Sequence, residues 1–580
     1  MCAAIAVTTL ATLPVWGRGF PLGHDAFWEA IRIREFAEVL ADGQWPPRWA
    51  PNLAAGYGYP IFNFFPPLYL NFAGGLVLVG LSVTSAVKCL IIVLTLSGGA
   101  GVWYCVRLWG DRGAATMAAA LYALAPYRFY DAFGRDAFAE LTSASVIPWL
   151  LVAIGRMGGR PARGRDVVLV AMAAAAVACS HNLSVVMYAP LVAGFIVLAV
   201  SRRLAPVLLG LVLGGGLSAC YVVPALFELG SVGMDWSSAA APKTTEALLG
   251  LASLVHAPWS TTMLFLGATL AVSGIGLVAR PGGKRQTLLL ALTIFSLGAA
   301  FLPLNATRVL WQQVRSLDVF AFPWRWFGPA SLTASLGAGL ALTMVADLKP
   351  PRPAQRGEVA ERSGAARARA QRAGVAGVGQ VPKLPKGGEG LRRLVWALAT
   401  LGLVSGVWQV AAWYAPRASL DHPSLSPESY RQAWRTTTML DEYLPIGVRQ
   451  RPSRPALQTF MCGEPARCRE QPGAAYHRVA DVETEGRAAI LIQSFAFPGW
   501  EVNVDGRPVV PQMFPTGIMG IVLDPGRHQV SLDYQGTSLE HASLLVSGLA
   551  MVVALLLLLA DVRRTRAGRE KDLPRATQIG

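Results

Sequence analysis

Asp25 stands in the stretch Gly23-His24-Asp25-Ala26-Phe27-Trp28-Glu29, at the start of residues 25–42, where Phe27, Ile31, Phe36, Val39 and Leu40 recur near helical spacing. That spacing predicts an amphipathic helix lying on an outer surface, with Asp25 at its beginning. A carboxylate there has two uses. It caps free N–H groups and suits the helix dipole, or, at the rim of a cavity, it takes a proton as a general base. His24 reads as a hydrogen-bonding partner rather than an acid or a ligand.

Further chemistry gathers in Pro126-Tyr127-Arg128-Phe129-Tyr130-Asp131-Ala132-Phe133-Gly134-Arg135-Asp136-Ala137-Phe138-Ala139-Glu140. If helical, Asp131/Arg135 and Asp136/Glu140 are i,i+4 neighbours. The first is an ordinary ion pair. The second brings like charges together, which costs energy unless a cation, a proton or a substrate hydroxyl relieves it. It leaves room for a divalent cation, although no ligand count supports one. Ser180-His181-Asn182, Glu228 and Phe320-Ala321-Phe322-Pro323-Trp324-Arg325-Trp326 stand at other helix ends. Arg325, flanked by tryptophans, suits either a lipid phosphate or an interfacial anchor.

Between these lies Trp49-Ala50-Pro51-Asn52-Leu53-Ala54-Ala55-Gly56-Tyr57-Gly58-Tyr59-Pro60-Ile61-Phe62-Asn63-Phe64-Phe65-Pro66-Pro67. Its glycines and prolines rule out regular structure, yet it is too apolar for a solvated linker. Tyr57 and the other rings, beside Asn52 and Asn63, suit a sugar ring as well as they suit an interfacial belt.

The elements that position these residues follow from composition. Of 580 residues, 53% are apolar and only 15% charged, below the ~25% of soluble proteins, and mean hydropathy is +0.42. The net charge of +16 fits a membrane face better than nucleic acid, because long apolar runs accompany it. Seven cysteines, with no CxxC pair or Cys/His cluster, exclude a zinc fold. A crossing needs about 20 apolar residues. Candidate runs lie near 1–16, 66–82, 85–107, 114–127, 140–156, 166–182, 184–200, 206–228, 259–279, 287–304, 327–346, 394–413 and 541–561. The first reads as a membrane anchor, with a signal h-region as the alternative.

Basic clusters at Arg107/Arg112, Arg156/Arg160/Arg163/Arg165, Arg202/Arg203, Arg280/Lys284/Arg285, 347–393 and Arg563/Arg564/Arg566 should all be cytoplasmic. They fall on one side if 66–82 lies in the outer interface and the other twelve runs cross. Segments 17–84, 127–140, 229–258, 305–326 and 414–540 then face outward. Residues 349–392 lack an apolar period and read as a disordered cytoplasmic linker whose charges contact anionic lipid. In 414–540, short alternating runs separated by Asp505-Gly506 and Asp524-Pro525-Gly526 predict a small antiparallel β domain over about 475–537. Cys462 and Cys468 precede it, where a bridge is permitted. The chain is thus an all-α polytopic membrane bundle of about 12 transmembrane helices over 1–413, an extracytoplasmic domain over 414–540, and a last helix with a basic tail over 541–580.

Several of these stretches carry a family resemblance. Gly23-His24-Asp25, Pro46-Pro47-Arg48-Trp49 through Gly56-Tyr57-Gly58-Tyr59-Pro60, Pro126-Tyr127-Arg128 with Arg135 and Glu140, Ser180-His181-Asn182 and Phe322-Pro323-Trp324-Arg325 resemble the C-class glycosyltransferases (GT-C). More closely they resemble a bacterial membrane-protein branch labelled as related to 6-pyruvoyl-tetrahydropterin synthase, although no residue suggests pterin chemistry. Phe497-Pro498-Gly499-Trp500, Asp505-Gly506 and Gly526-Arg527-His528 are similar to the outer β domain that ends many such proteins. The resemblance implies a GT-C-like fold in the inner (plasma) membrane, an extracytoplasmic active face, a polyprenyl-phosphate sugar donor and a glycan, lipid or protein acceptor in the envelope. It implies Asp25 as catalytic base, although the paired acidic motif common in the superfamily's first loop is here His24-Asp25-Ala26, so a second carboxylate would come from Asp136 or Glu140.

No Rossmann-type unit or Gly-rich phosphate loop is present, so an outer-face transferase needs a lipid-linked donor. In that reading His24, Tyr57, Asn63, Arg128, Arg135, Asp136, Glu140, His181 and Arg325 contact the substrate or the lipid phosphate. Membrane lipids are the other partners, and nucleic acid is not among them. Two rivals stand beside it. A transporter or lipid exporter should show inverted repeats and broken helices, of which Gly214-Gly215-Gly216 is the one hint. A non-catalytic envelope scaffold should survive loss of Asp25, Arg135 and Arg325 together.

Overall fold

The computed structural model describes residues 2–159, 161–200, 204–233, 244–279, 282–348, 389–412, 417–438 and 441–572. Most of the expected linker, 349–388, lies outside the described residues, while 389–392 already belong to the helix Glu389–Ala412.

Seven helices among the described residues are long and apolar enough to cross a membrane: Val83–Arg107, Phe138–Met157, Asn182–Val200, Trp259–Ala279, Pro323–Ala346, Glu389–Trp408 and Ser538–Arg564. The expected run 206–228 is two helices, Leu204–Leu217 and Ala219–Phe227, bent by 70° at Ser218, and counts as an eighth if taken as one span. Twelve spans were expected. The remaining runs form helices that are shorter or more polar: Cys2–Leu10, Arg112–Ala123, Gly164–Ala178 and Lys284–Phe301. Arg112–Ala123, at 12 residues, extends about 18 Å, well short of a bilayer core. Pro67–Leu78, which was expected to lie in the outer interface, is equally short.

The centre of the bundle is the helix Phe327–Ala346, buried along nearly its whole length. Small residues permit this. A Cβ on Gly339 would lie 2.8 Å from the Cβ of Ala118, and one on Gly276 would lie 2.5 Å from that of Ala341, so glycine lets these backbones approach where no water drives association. The helix that carries Glu140, Phe138–Met157, packs beside Val83–Arg107 and Gly164–Ala178.

The predicted helix after Asp25 is Ala26–Ala41. It does not lie on a surface. Glu29, Arg32 and Glu35 are buried with the apolar face, because Pro67–Leu78 packs against the helix and polar partners come from Tyr69, from Asn52 and from the returning segment that begins at Arg417. Phe20–Pro21 pairs antiparallel with Arg417–Ala418. Arg32 reaches Glu29 and the Thr437 carbonyl, and Tyr69 donates to Glu29 at 2.7 Å. Tyr430 donates to Glu35 at 2.8 Å, and Asn52 donates to the same carboxylate. Satisfied partners make these buried charges tolerable.

The C-terminal β region has two antiparallel sheets. One orders Phe460–Cys462, Ala488–Phe495, Ile518–Leu523 and Gln512–Met513. The other orders Ala466–Glu470, His477–Thr484, Gly526–Tyr534, Trp500–Val504 and Arg507–Val509. Alternate residues such as Val482, Ile490, Ile492, Val530 and Leu532 fill the core. The hairpin at Asp505-Gly506 joins Val504 to Arg507 with both turn residues at positive φ, 51° and 75°, as a two-residue turn between right-twisted strands requires. Cys462 and Cys468 are bridged, with 5.7 Å between their Cα atoms.

Candidate active site

Pro126 opens a four-residue helix, Pro126–Phe129, that continues as a π-turn over Tyr130–Gly134. The wider turn carries Asp131 and Arg135 to the N-terminus of Phe138–Met157. There the Arg135 Nη1 lies 2.9 Å from Asp131, 2.8 Å from Glu140 and 3.2 Å from the Tyr127 hydroxyl, which donates to Glu140 at 2.8 Å. From the turn Pro323–Trp326 that leads into the central helix, Arg325 Nε approaches the Glu140 oxygen that Arg135 holds, at 3.6 Å. Glu140 thus anchors two guanidiniums. Arg325 is the less committed of the two: it makes no side-chain hydrogen bond among the described residues, its buried Nε has no partner at bonding distance, and its guanidinium lies over the Phe322 ring. Tyr130, Trp259, Trp324 and Phe322 line up beside it as successive ring contacts.

The expected Asp136/Glu140 pair does not form. Asp136 adopts a φ of +58°, which reverses the chain and sends its carboxylate away from Glu140. It is fully buried and faces the backbone N–H groups of Gly23 and Ala26, without completing a well-formed hydrogen bond. Burial pushes its carboxyl well above the ordinary range, with the neighbouring Asp25 and Glu29 adding to the effect. Asp136 is therefore packed against the start of the helix Ala26–Ala41 and is screened from any substrate.

Asp25 occupies the N-cap position of that helix, yet its side chain makes no capping bond. Its backbone docks on the turn 130–137, with the N–H groups of His24 and Asp25 bonded to the carbonyls of Gly134 and Arg135. The half-buried carboxylate has the exposed His24 ring as its neighbour, with Nδ1 2.9 Å from Oδ1. So the carboxylate singled out in the sequence borders the Arg135 loop with one oxygen that has no partner among the described residues, while another residue faces the helix end. His181 lies on a third side, its Nδ1 2.8 Å from the Ser184 hydroxyl. Packing around the imidazole pushes it down to about 3, Glu140 opposing and Arg325 and Arg135 assisting. It is neutral at pH 7 and cannot itself neutralise a phosphate.

The other expected contacts lie elsewhere. Tyr57 stacks on Phe495 and donates to the Arg454 carbonyl, and Trp49 packs on Phe497 and Trp500, so the aromatic loop joins bundle to β region. Arg128 is buried over the Tyr122 ring and donates to Ser145 at 3.0 Å. Asn63 accepts from Arg48 at 2.9 Å and donates to Glu228 at 2.6 Å. Glu228 accepts from Thr537, and Arg48 also donates to the Cys220 carbonyl inside the second half of the bent helix. This second buried network was not foreseen. Its signal was a charge at each of two positions, Arg48 and Glu228, where apolar residues would otherwise pack. Among the described residues, no group of three or more His, Cys, Asp or Glu side chains could hold a metal ion.

Residues 62–312 match the model of a family described as "6-pyruvoyl-tetrahydropterin synthase related domain; membrane protein". A 62-residue stretch is 36% identical to an uncharacterized protein of Lactococcus lactis subsp. cremoris (strain MG1363), covering 11% of this chain and 10% of that protein. Among solved structures, the fold is similar to the arabinofuranosyltransferase AftD from Mycobacteria, with a TM-score of 0.43 and 17% identity over 72% of this chain and 27% of that one. It is also similar to ArnT from Cupriavidus metallidurans bound to undecaprenyl phosphate, with a TM-score of 0.39 and 15% identity over 70% of this chain and 75% of that one. The Archaeoglobus fulgidus oligosaccharyltransferase gives 0.37 and 14% over 72% and 56%. The chain spans about a tenth of the curated relative and about a quarter of the mycobacterial enzyme.

Proposed function

We propose that the chain is an integral membrane glycosyltransferase that moves a sugar from a polyprenyl-phosphate donor to an envelope acceptor on the outer face of the plasma membrane. The observation that carries this reading is Asp25: a half-exposed carboxylate with no capping bond, docked on the loop of Arg135, whose partner Glu140 also approaches Arg325. A base and a weakly committed cation on neighbouring outer elements are what a single displacement at an anomeric carbon needs.

In that displacement Asp25 takes the proton of the acceptor hydroxyl as its oxygen bonds to the anomeric carbon. The bond from that carbon to the phosphate oxygen breaks, the lipid phosphate leaves with the electron pair, and the configuration inverts. Arg325 takes up the charge growing on the departing phosphate. Arg135, whose Nη1 is already engaged by Asp131, Glu140 and Tyr127, positions Glu140 rather than the phosphate. Tyr130, Trp259, Trp324 and Phe322 offer ring faces for a sugar or prenyl group. Testing it takes detergent-purified full chain, a panel of radiolabelled polyprenyl-phosphate sugars and native envelope extract: label moving into the acceptor supports the reading, and no transfer from any donor by folded protein overturns it.

One observation favours a second reading, transport. The 70° break at Ser218 is the kind of discontinuous helix that transporters use. The polar groups beside it, Arg48, Asn63 and Glu228, are bonded to one another, however, and offer a solute little. Counterflow in vesicles without chemical change would select transport.

A further inference from the structure

At the end of the bundle opposite Asp25, four helix ends enclose a recess of about 370 Å³. Leu108 and Trp109 wall it after Val83–Arg107, Gly155 to Gly159 close Phe138–Met157, Ala199 ends Asn182–Val200, and Lys284 begins Lys284–Phe301. Phe138–Met157 separates this end from Glu140 by most of its 20 residues, about 25 Å, so the recess is no part of the site above.

Its shape comes from glycine. A Cβ on Gly155 would lie 2.5 Å from Leu108 Cδ1, and one on Gly158 would lie 2.4 Å from the Ala199 carbonyl oxygen, so the helices close together at the floor. Gly159 has nothing within 4 Å of a Cβ and leaves the mouth open. Its charge is one-sided. Arg156 and Lys284 line it with no carboxylate, and neither has an ion-pair partner among the described residues. Lys284 Nζ donates to the Ala199 carbonyl at 3.0 Å, which fixes the ammonium at the wall with two N–H groups to spare. The adjacent Arg285 differs, since it is spent on Asp347 at 2.9 Å. Beyond the mouth, Val197 and Leu290 on two of the same helices are 65% and 46% exposed, an apolar track along the outside of the bundle.

We propose that this recess binds an anionic phospholipid, its phosphate between Arg156 and Lys284 and an acyl chain along Val197 and Leu290. Two unpaired cations select a phosphate, which a guanidinium holds in bidentate fashion. The apolar track selects a lipid over a free phosphate, and basic pockets between helix ends are where anionic headgroups bind.

The test is native mass spectrometry of the full chain in detergent, titrated with phosphatidylglycerol, phosphatidylcholine or inorganic phosphate. The wild type should keep one phosphatidylglycerol at activation energies that strip the others, at least tenfold in preference to phosphatidylcholine. The double variant Arg156→Gln/Lys284→Gln should lose that preference about tenfold or more, while Arg285→Gln keeps it. Gly159→Trp, which fills the open mouth without touching a charge, should lower retention as well, and decides the matter should the double variant not fold. Equal retention of phosphatidylcholine, unchanged retention in both the double variant and Gly159→Trp, or displacement of the lipid by millimolar phosphate alone would each overturn the proposal.

Discussion

Asp136, from the turn that precedes the helix Phe138–Met157, faces the N-terminus of the helix that Asp25 begins, and the Asp25 side chain makes no bond to that helix. Neither carboxylate completes a hydrogen bond to that helix end, and of the two only Asp136 is fully buried there. Truncating a fully buried side chain leaves a cavity and costs about 1 kcal/mol or more, whereas truncating a partly exposed one with no capping bond stays within about 0.5 kcal/mol. Thermal unfolding in detergent should therefore show Asp136→Ala below wild type and Asp25→Ala close to it. The reverse order would return Asp25 to an ordinary cap.

Gly23 marks the same junction. A Cβ there would lie 2.3 Å from Asp136 Oδ2 and 2.8 Å from the Phe133 carbonyl oxygen. Gly23→Ala should cost about 1–3 kcal/mol through overpacking, read as a fall in unfolding temperature. Gly75→Ala, with open space around the new methyl, should match or exceed wild type.

Glu140 joins Arg135 and Arg325. Its neutralisation strands two cations in a largely buried setting, which costs about 3–5 kcal/mol. Glu140→Gln should accordingly be more damaging than Arg135→Gln. Glu140→Gln/Arg135→Gln should lose less than the sum of the two single losses, because the partners share one interaction. Additive losses in a double-mutant cycle would deny the coupling.

His181 gives a pH dependence of fixed sign. Its folded value near 3 lies below the ordinary imidazole value of 6.5, so between those limits the unfolded chain binds the extra proton. Stability should rise with pH across that window, by at most about 1.4 kcal/mol per unit, and level off above it. His181→Asn should flatten that part of the profile. An unchanged slope would show that the imidazole is not held neutral.

How much of this was legible in the residues depends on distance along the chain. The Asp131/Arg135 pair, the helix after Asp25, the Asp505-Gly506 hairpin and the Cys462–Cys468 bridge are local, and spacing or turn chemistry announces them. The helix on which Asp25 sits was misjudged as a surface element because its buried charges find partners far away: Glu35 meets Tyr430, and Arg32 meets Thr437. Asp136 was paired with Glu140 on the assumption of a continuous helix, and the single reversal at φ +58° undid it. Tyr57 and Asn63 read as ligand contacts because aromatic and amide groups suit a sugar; they meet Phe495 and Glu228 instead. The count of twelve spans is not reached among the described residues, where helices such as Arg112–Ala123 end early at a proline-led turn.

The central claim is that Asp25 is the base. Transfer of radiolabelled sugar from a polyprenyl-phosphate donor, measured for wild type and Asp25→Asn at matched folded protein, tests it most directly. Asparagine caps a helix as well as aspartate does but takes no proton, so the variant should unfold at the wild-type temperature and lose transfer by a factor of about 100 or more. Transfer near the wild-type rate by Asp25→Asn would contradict the account.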